Sequence, residues 1–339
     1  MNDGVQIIEV GAGGLTQIIQ GSRPLRVNAR TGVVQISTPR GLVVNSMLRK
    51  DEWAEVDRVV QESARYPLRA VSDLRGRGLI KPLGGLGSMV SQWYASSEMT
   101  GANVSMSGRG GSNRDGVDLK QLGVPVPVVF KDFDINQRDL EASRRLGDGL
   151  DTTNVAEATR VVAEALDALV IVGNATTLNG AKIYGYTNHP DRTTGTATSF
   201  GGGDWTTIAN ITLTIAGMVN AANSDRHYGP FMVYASQAQY NEASLTYYTD
   251  GSGETPLQRL LKMPQIAGVQ MLPQLTDGET ALVQMTREVV EWAEAMPIDV
   301  IEWTTGDGMA TSFKVLSVAT PLIKSRYDGK SGIVHATGC

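Results

Sequence analysis

An α+β architecture with long protruding limbs is expected from three stretches of the sequence. Residues 151–173 carry the apolar period of an amphipathic helix, and residues 204–299 alternate short apolar strands with helices. Residues 1–47 and 89–135 are instead rich in β-formers, glycine and turn residues, with nothing from which to build an interior of their own.

The helix comes first because the other segments are arranged around it. Val155, Val162, Leu166 and Leu169 recur on one face, while Glu157, Arg160, Glu164 and Asp167 are expected on the other. Asn154 with Glu157 forms a loose capping box, and Gly173-Asn174 closes the helix with residues that tolerate a left-handed C′ position. At about 1.5 Å per residue the rod is roughly 30 Å long, so its apolar side needs a sheet or further helices along its whole length.

The chain of 339 residues is long enough for a sizeable core, and 41% hydrophobic residues exclude disorder. A net charge of −5 argues against a dedicated nucleic-acid binder. Cys339 is the single cysteine, which excludes a disulfide framework and a thiolate metal cluster. The N-terminus has no basic start followed by an apolar run, and no apolar stretch is long enough to cross a bilayer. A soluble protein of a reducing compartment, with no membrane partner, is expected.

From the N-terminus, β-like pieces fall at Gln6–Val10 and Val33–Ser37 within a Gly-rich arm. Through residue 50 this segment sets Arg23, Arg26, Arg30, Arg40, Arg49 and Lys50 against Asp3 and Glu9. A helix follows at Lys50–Ala64, with Trp53, Val56, Val60 and Ala64 on one face and Tyr66-Pro67 as its stop. Residues 89–135 are expected to form one long hairpin whose tip, Ser107–Asp118, holds turn residues almost exclusively. With about fifteen residues per limb at about 3.3 Å each, the hairpin would reach roughly 50 Å. Pro125 and Pro127 suit an edge. A two-stranded hairpin is marginal alone, so both limbs are expected to be held by sister copies.

A short helix at Asn136–Leu146 leads into the long one, and residues 175–203 are expected to be loop. Beyond them Asp204 should cap a helix with Ile208, Ile211, Ile215, Met218 and Ala222 inward. Phe231–Tyr234 is expected as a buried strand, Gln237–Leu245 as a helix, and Thr255-Pro256 as the cap and first residue of another. Val269–Leu272 and Thr280–Met285 are further strands. Two long strands over residues 298–323 turn at Thr305–Gly308.

Sequences that carry chemistry are missing. Gly11–Thr16 lacks the third glycine of a dinucleotide fingerprint and no βαβ unit follows. His189, His227 and His335 have no metal-ligand spacing, Asp132 and Asp134 read as the solvated side of a strand, and no activated Ser or Cys is evident. No enzyme, metal or cofactor is expected.

The order of elements resembles the Hong Kong 97-type fold of tailed-bacteriophage major capsid proteins, most closely its encapsulin-like branch. The likeness rests on LRKDEWAEVDRVVQESARYPLRAVSDLRGRG (Leu48–Gly78), similar to an encapsulin opening helix and the strand after it. VPVPVVFKDFDINQRDLE (Val124–Glu141) looks like the return of an extended loop, Asp151–Gly173 like a spine helix, and Ile183-Tyr184-Gly185 like its exit. Tyr228–Phe231, Thr255–Leu257 and Val300–Ile323 extend it over about residues 48–325, most of the chain. An arm ahead of the first helix favours a phage capsid over an encapsulin.

The resemblance implies an arm (1–47), a peripheral domain (48–88, 124–178 and 299–325), an extended loop (89–123) and an axial domain (179–298 and 326–339). It implies self-assembly into hexamers and pentamers of a virion shell, built in the host cytoplasm around packaged DNA contacted non-specifically. Cement or decoration, scaffolding and portal proteins are possible partners, and an encapsulin-type compartment with a cargo enzyme is the alternative. Inter-subunit contacts are expected at Arg109, Arg114, Asp115 and Lys120 of the loop, Arg23, Arg26 and Arg30 of the arm, and Trp53.

Overall fold

The computed structural model describes residues 6–10, 15–20, 23–28, 34–37 and 43–45 as backbone only, and residues 50–339 apart from 66–67, 105, 108–114, 137, 139–140, 143–151, 179–180, 249–252 and 305–309. Helix α1 (Lys50–Arg65) turns Trp53, Val56, Val59 and Val60 into the interior. A second helix, α2 (Arg69–Gly76), stands where the sequence suggests a strand; it buries Ala70, Val71 and Leu74. No residue beside it caps it. A carboxylate 96 positions further on does so, which is why the helix is not legible locally.

The spine helix α3 spans Thr153–Ile171 and buries Val155, Val162, Leu166 and Leu169, with Gly173 at φ 71 just beyond its end. Two expectations about it are corrected. Thr152 occupies the N-cap without a side-chain bond, and Glu157 pairs with Arg160 instead of reaching back. Asp167 is not on the charged face: it is fully buried and accepts the amide of Val71 at 3.1 Å.

The spine lies across a four-stranded sheet in the order β6 (Ile80–Pro82), β16 (Val290–Thr304), β17 (Ala310–Ile323), β9 (Val128–Asn136). The pairing of β16 with β17 shifts register on either side of Met296, next to Pro297, which has no amide to donate. The long hairpin of the sequence reading is therefore divided. Only β7 (Val90–Ser96) and β8 (Leu119–Pro125) pair with each other, about 23 Å at 3.3 Å per residue. Val126 and Pro127 then carry the chain into β9, which pairs with β17 along its length. Asn136 accepts the Arg138 amide at 2.9 Å where the short helix was expected; most of that helix, like the Thr305–Gly308 turn, lies outside the described residues.

Residues 175–203, expected as loop, hold strands. β10 (Gly173–Leu178) pairs antiparallel with β11 (Ala181–Tyr184), and β12 (Thr193–Thr196) joins a five-stranded sheet. That sheet runs β12, β18 (Ile333–Thr337), β15 (Thr280–Gln284), β13 (Phe231–Ala235), β14 (Ile266–Met271). Threonines and glycine mask the period in β10 and β12, and partners distant in sequence supply the pairing. Strands β13 and β15 are buried on both faces, and their alternation divides two cores. Met232, Tyr234, Ala281 and Val283 face the spine and α1. Phe231, Val233, Ala235 and Leu282 face helix α4 (Ile208–Ser224), which contributes Ile211, Ile215, Met218 and Ala222.

Asp204 sits ahead of α4, in the turn where it accepts the Thr206 amide, and Thr207 is the N-cap. Helix α5 is Gln237–Leu245, and α6 (Pro256–Leu261) opens with a complete capping box between Thr255 and Gln258.

The N-terminal segment is also more ordered than expected. Strands β1 (Gln6–Val10), β2 (Leu15–Gln20), β3 (Arg23–Asn28), β4 (Val34–Ser37) and β5 (Val43–Asn45) form an antiparallel meander, with β5 against β16. Short β-branched segments between glycines need only their neighbours to satisfy their ladders.

Candidate assembly interface

Large apolar side chains left outside this fold concentrate between Leu86 and Phe130. The alternation of β7 directs Ser91, Trp93 and Ala95 inward and Gln92, Tyr94 and Ser96 outward. Trp93, with Leu122 and Val124 of β8, lies over Tyr184, His189 and Pro321 of the chain's own body. Lys81 Nζ donates to the Gln92 carbonyl at 2.9 Å, and Glu98 pairs with Arg226 and, at 3.7 Å, with Arg326. The lower half of the hairpin therefore folds back on the molecule it belongs to, so the expectation that neighbours alone order it is corrected.

Beyond that base the tip behaves differently. Ser97 and Asp118 exchange bonds across the neck, and Asp115 accepts the amides of Thr100 at 2.8 Å and Gly116 at 2.9 Å. The Thr100 amide holds the Asp115 carboxyl below its ordinary range. Tyr94 on the outer face is 66% exposed, while Val104 and Met106 in the tip are 100% and 107% exposed. Neither side chain is covered by its own chain.

At the hairpin's root a groove of about 620 Å³ is lined by Met89, Val126, Val128, Phe130, Leu169 and Val318. It joins β9, the edge strand of the four-stranded sheet, to the spine. Among the described residues the outer side of β9 has no strand partner, and such an edge beside an apolar groove is competent to receive another extended chain. On the outer surface α1 and α3 carry the same spacing of charges, Glu55–Arg58–Glu62 and Glu157–Arg160–Glu164, each arginine paired with both acids.

The expected contact residues are dispersed. Trp53 is 6% exposed and packed in the core, so an inter-subunit role is corrected to an internal one; its spacing with Val56 and Val60 already pointed there. Asp115 is engaged within its own hairpin. Lys120 is exposed on β8 opposite Ala95. Arg23 and Arg26 lie in β3, opposite Gln20 and Gln17 of β2, and Arg30, Arg109 and Arg114 lie outside the described residues. The exposed Val104 and Met106 were missed, although their two-residue spacing in a polar segment is a readable signal.

Among the described residues no group of three or more His, Cys, Asp or Glu could hold a metal ion. His189 Nδ1 takes the Asp191 amide, His227 Nδ1 faces Gln284, and His335 Nε2 lies 3.8 Å from Glu279; none bonds a hydroxyl or thiol. Burial holds all three imidazoles below their ordinary value. No helix among the described residues is long and apolar enough to span a membrane.

The model of a family described as of unknown function (DUF6260) matches residues 43–336. The type 1 encapsulin shell protein EncA of Myxococcus xanthus is 27% identical over 285 residues, covering 82% of this chain and 90% of that one. The capsid of Myoviridae phage XM1 superposes with a TM-score of 0.62 at 16% identity, covering 78% of this chain and 91% of that one. The virus-like particle from Pyrococcus furiosus gives 0.59 at 14% identity, covering 84% and 98%. The fold is the Hong Kong 97-type capsid fold.

Proposed function

The chain belongs to the DUF6260 family of unknown function, and we propose that it is the major capsid protein of a tailed bacteriophage, assembling into an icosahedral shell around double-stranded DNA. The observation that carries a shell-forming role is the hairpin: its base is fastened to its own body while Val104 and Met106 stand fully exposed at the tip. Contacts of that kind, repeated in a closed symmetric array, become durable through number. The role is structural rather than catalytic.

In this reading the spine and the four-stranded sheet form the peripheral domain (48–88, 124–178 and 299–325), and residues 179–298 with 326–339 surround the five- and sixfold axes. The tip of loop 89–123 crosses to a neighbour, with Lys120 on its outer flank. Arg23 and Arg26 of the basic N-terminal sheet offer non-specific contacts to packaged DNA. Decoration, scaffolding and portal proteins are further partners of a virion built in the host cytoplasm. Five paired strands ahead of α1 form the arm that the resemblance associates with a phage capsid rather than an encapsulin.

A second reading, an encapsulin-type compartment, is favoured by the 27% identity to EncA. Negative-stain microscopy of the expressed full-length chain tests what the two share: closed shells are expected, and a small uniform oligomer overturns both. Particles from the native source separate them, since DNA inside supports the capsid and a protein cargo the compartment.

A further inference from the structure

Where α2 meets the spine, two acids from different helices approach each other. Asp167 of the spine is fully buried; its Oδ1 accepts the Val71 amide of α2, while its Oδ2 has no hydrogen-bond partner. Asp73, one turn along α2, accepts the Tyr234 hydroxyl at 3.0 Å and the Gln270 amide at 2.8 Å. Tyr186, also fully buried with an unpartnered hydroxyl, stacks on Tyr234 at 5.8 Å. The cluster thus joins α2, the spine, the segment after β11 and strands β13 and β14.

We propose that Asp167 and its surroundings form a proton-operated joint between α2 and the spine, which tightens as the medium passes from neutral to mildly acidic. An ionised carboxylate here has lost its water and has one oxygen without a donor, whereas the neutral acid keeps the Val71 bond and gains an O–H to offer. The side chains turned toward it oppose ionisation or are neutral, while the amides of Val71, Arg69 and Ala70 at the start of α2 favour it. Asp73 adds like charge, softened by Arg77, which lies near Asp73; Tyr186, Tyr234 and Gln270 are uncharged. Arg69 donates to the Met271 carbonyl and Arg75 is paired with Glu294. The Glu55–Arg58–Glu62 pairs of α1 and Asp132 of β9 lie on exposed surfaces, and Lys314 of β17 is half-buried between Asp132 and the Phe130 ring.

Desolvation raises Asp167 to about 6, against backbone donors at the start of α2 that pull it down. A folded value above the unfolded one means that the folded chain binds the proton more tightly. This group's contribution to stability therefore grows as pH falls from 7.5 to 5, lowering the unfolding constant on the order of tenfold.

The test is urea unfolding of the full-length chain at pH 7.5 and pH 5, beside Asp167→Asn, which keeps an acceptor for Val71 but carries no charge. The three buried histidines destabilise the fold over the same range as they protonate, so the wild-type-to-variant ratio is what is read. Expected is a ratio of unfolding constants that shifts about tenfold in favour of wild type on acidification. A ratio that does not move with pH overturns the proposal. Should Asp167→Asn not fold, the infrared carboxylic-acid band of wild type and of Asp73→Asn decides. A band titrating near pH 6 in both supports the joint, and its absence in either one overturns it.

Discussion

The spine helix and the hairpin use apolar residues in opposite ways. In α3 every apolar position of the stripe meets the chain's own sheet or helices, and Val162 and Leu166 retain 1% and 2% exposure. In the hairpin only the inner flank of the base is covered, and Val104 and Met106 at the tip are fully exposed. The spine is thus a matter of folding and the tip a matter of association. Substitutions in the two regions should separate stability from assembly.

Ordered by their effect on unfolding free energy, the sharpest test is Leu166→Ala. It should cost about 2–5 kcal/mol in urea unfolding through lost burial and a residual cavity. A loss well below that range would mean the spine is less committed to its own core than its burial implies. Next is Gly173→Ala. A Cβ there would lie 2.4 Å from the Ile183 carbonyl oxygen on a backbone at φ 71, so a cost of about 1–3 kcal/mol is expected. Wild-type stability of that variant would show that the spine's exit can shift freely.

The tip should respond in the reverse sense. Val104→Asp with Met106→Asp is expected to leave the unfolding free energy within about 0.5 kcal/mol of wild type while closed shells disappear from sizing and negative-stain preparations. Normal shells from that chain would remove the tip from the interface. Deleting 109–114, which leaves the Asp115 neck intact, should do the same. The smallest effect is expected from Glu98→Gln at the boundary between the regions. Its partners are exposed and screened, so the midpoint should not move. Amide exchange at the end of β7 should quicken, and unaltered exchange would mean that the Trp93 flank alone anchors the hairpin.

How much could be read from the chain follows from where the determining partner lies. α5, β13 and the Thr255 capping box are legible because their signals lie within a few residues. α2 is not, because Asp167 caps it from the spine. The same distance misplaces Asp167: heptad arithmetic assigns a carboxylate to the wet face, and only a helix docked against that position turns it inward. Trp53 is the converse case, since its period with Val56 and Val60 described a core residue before any interface was in question. The division of the hairpin at Val126-Pro127 depends on β17, nearly two hundred residues on, offering β9 a better ladder than its own hairpin could.

By itself the sequence determined the amphipathic spine, the left-handed glycine that ends it, the buried strand at Phe231–Tyr234, and an order of elements that resembles one fold. These are local matters, governed by period, capping and backbone freedom over a few residues. The tertiary structure alone decided which carboxylate is buried, which strand completes which sheet, and how far the hairpin departs from its own body. Burial and strand pairing are properties of segments brought together across the chain, and side-chain patterns encode them only after the partner is known.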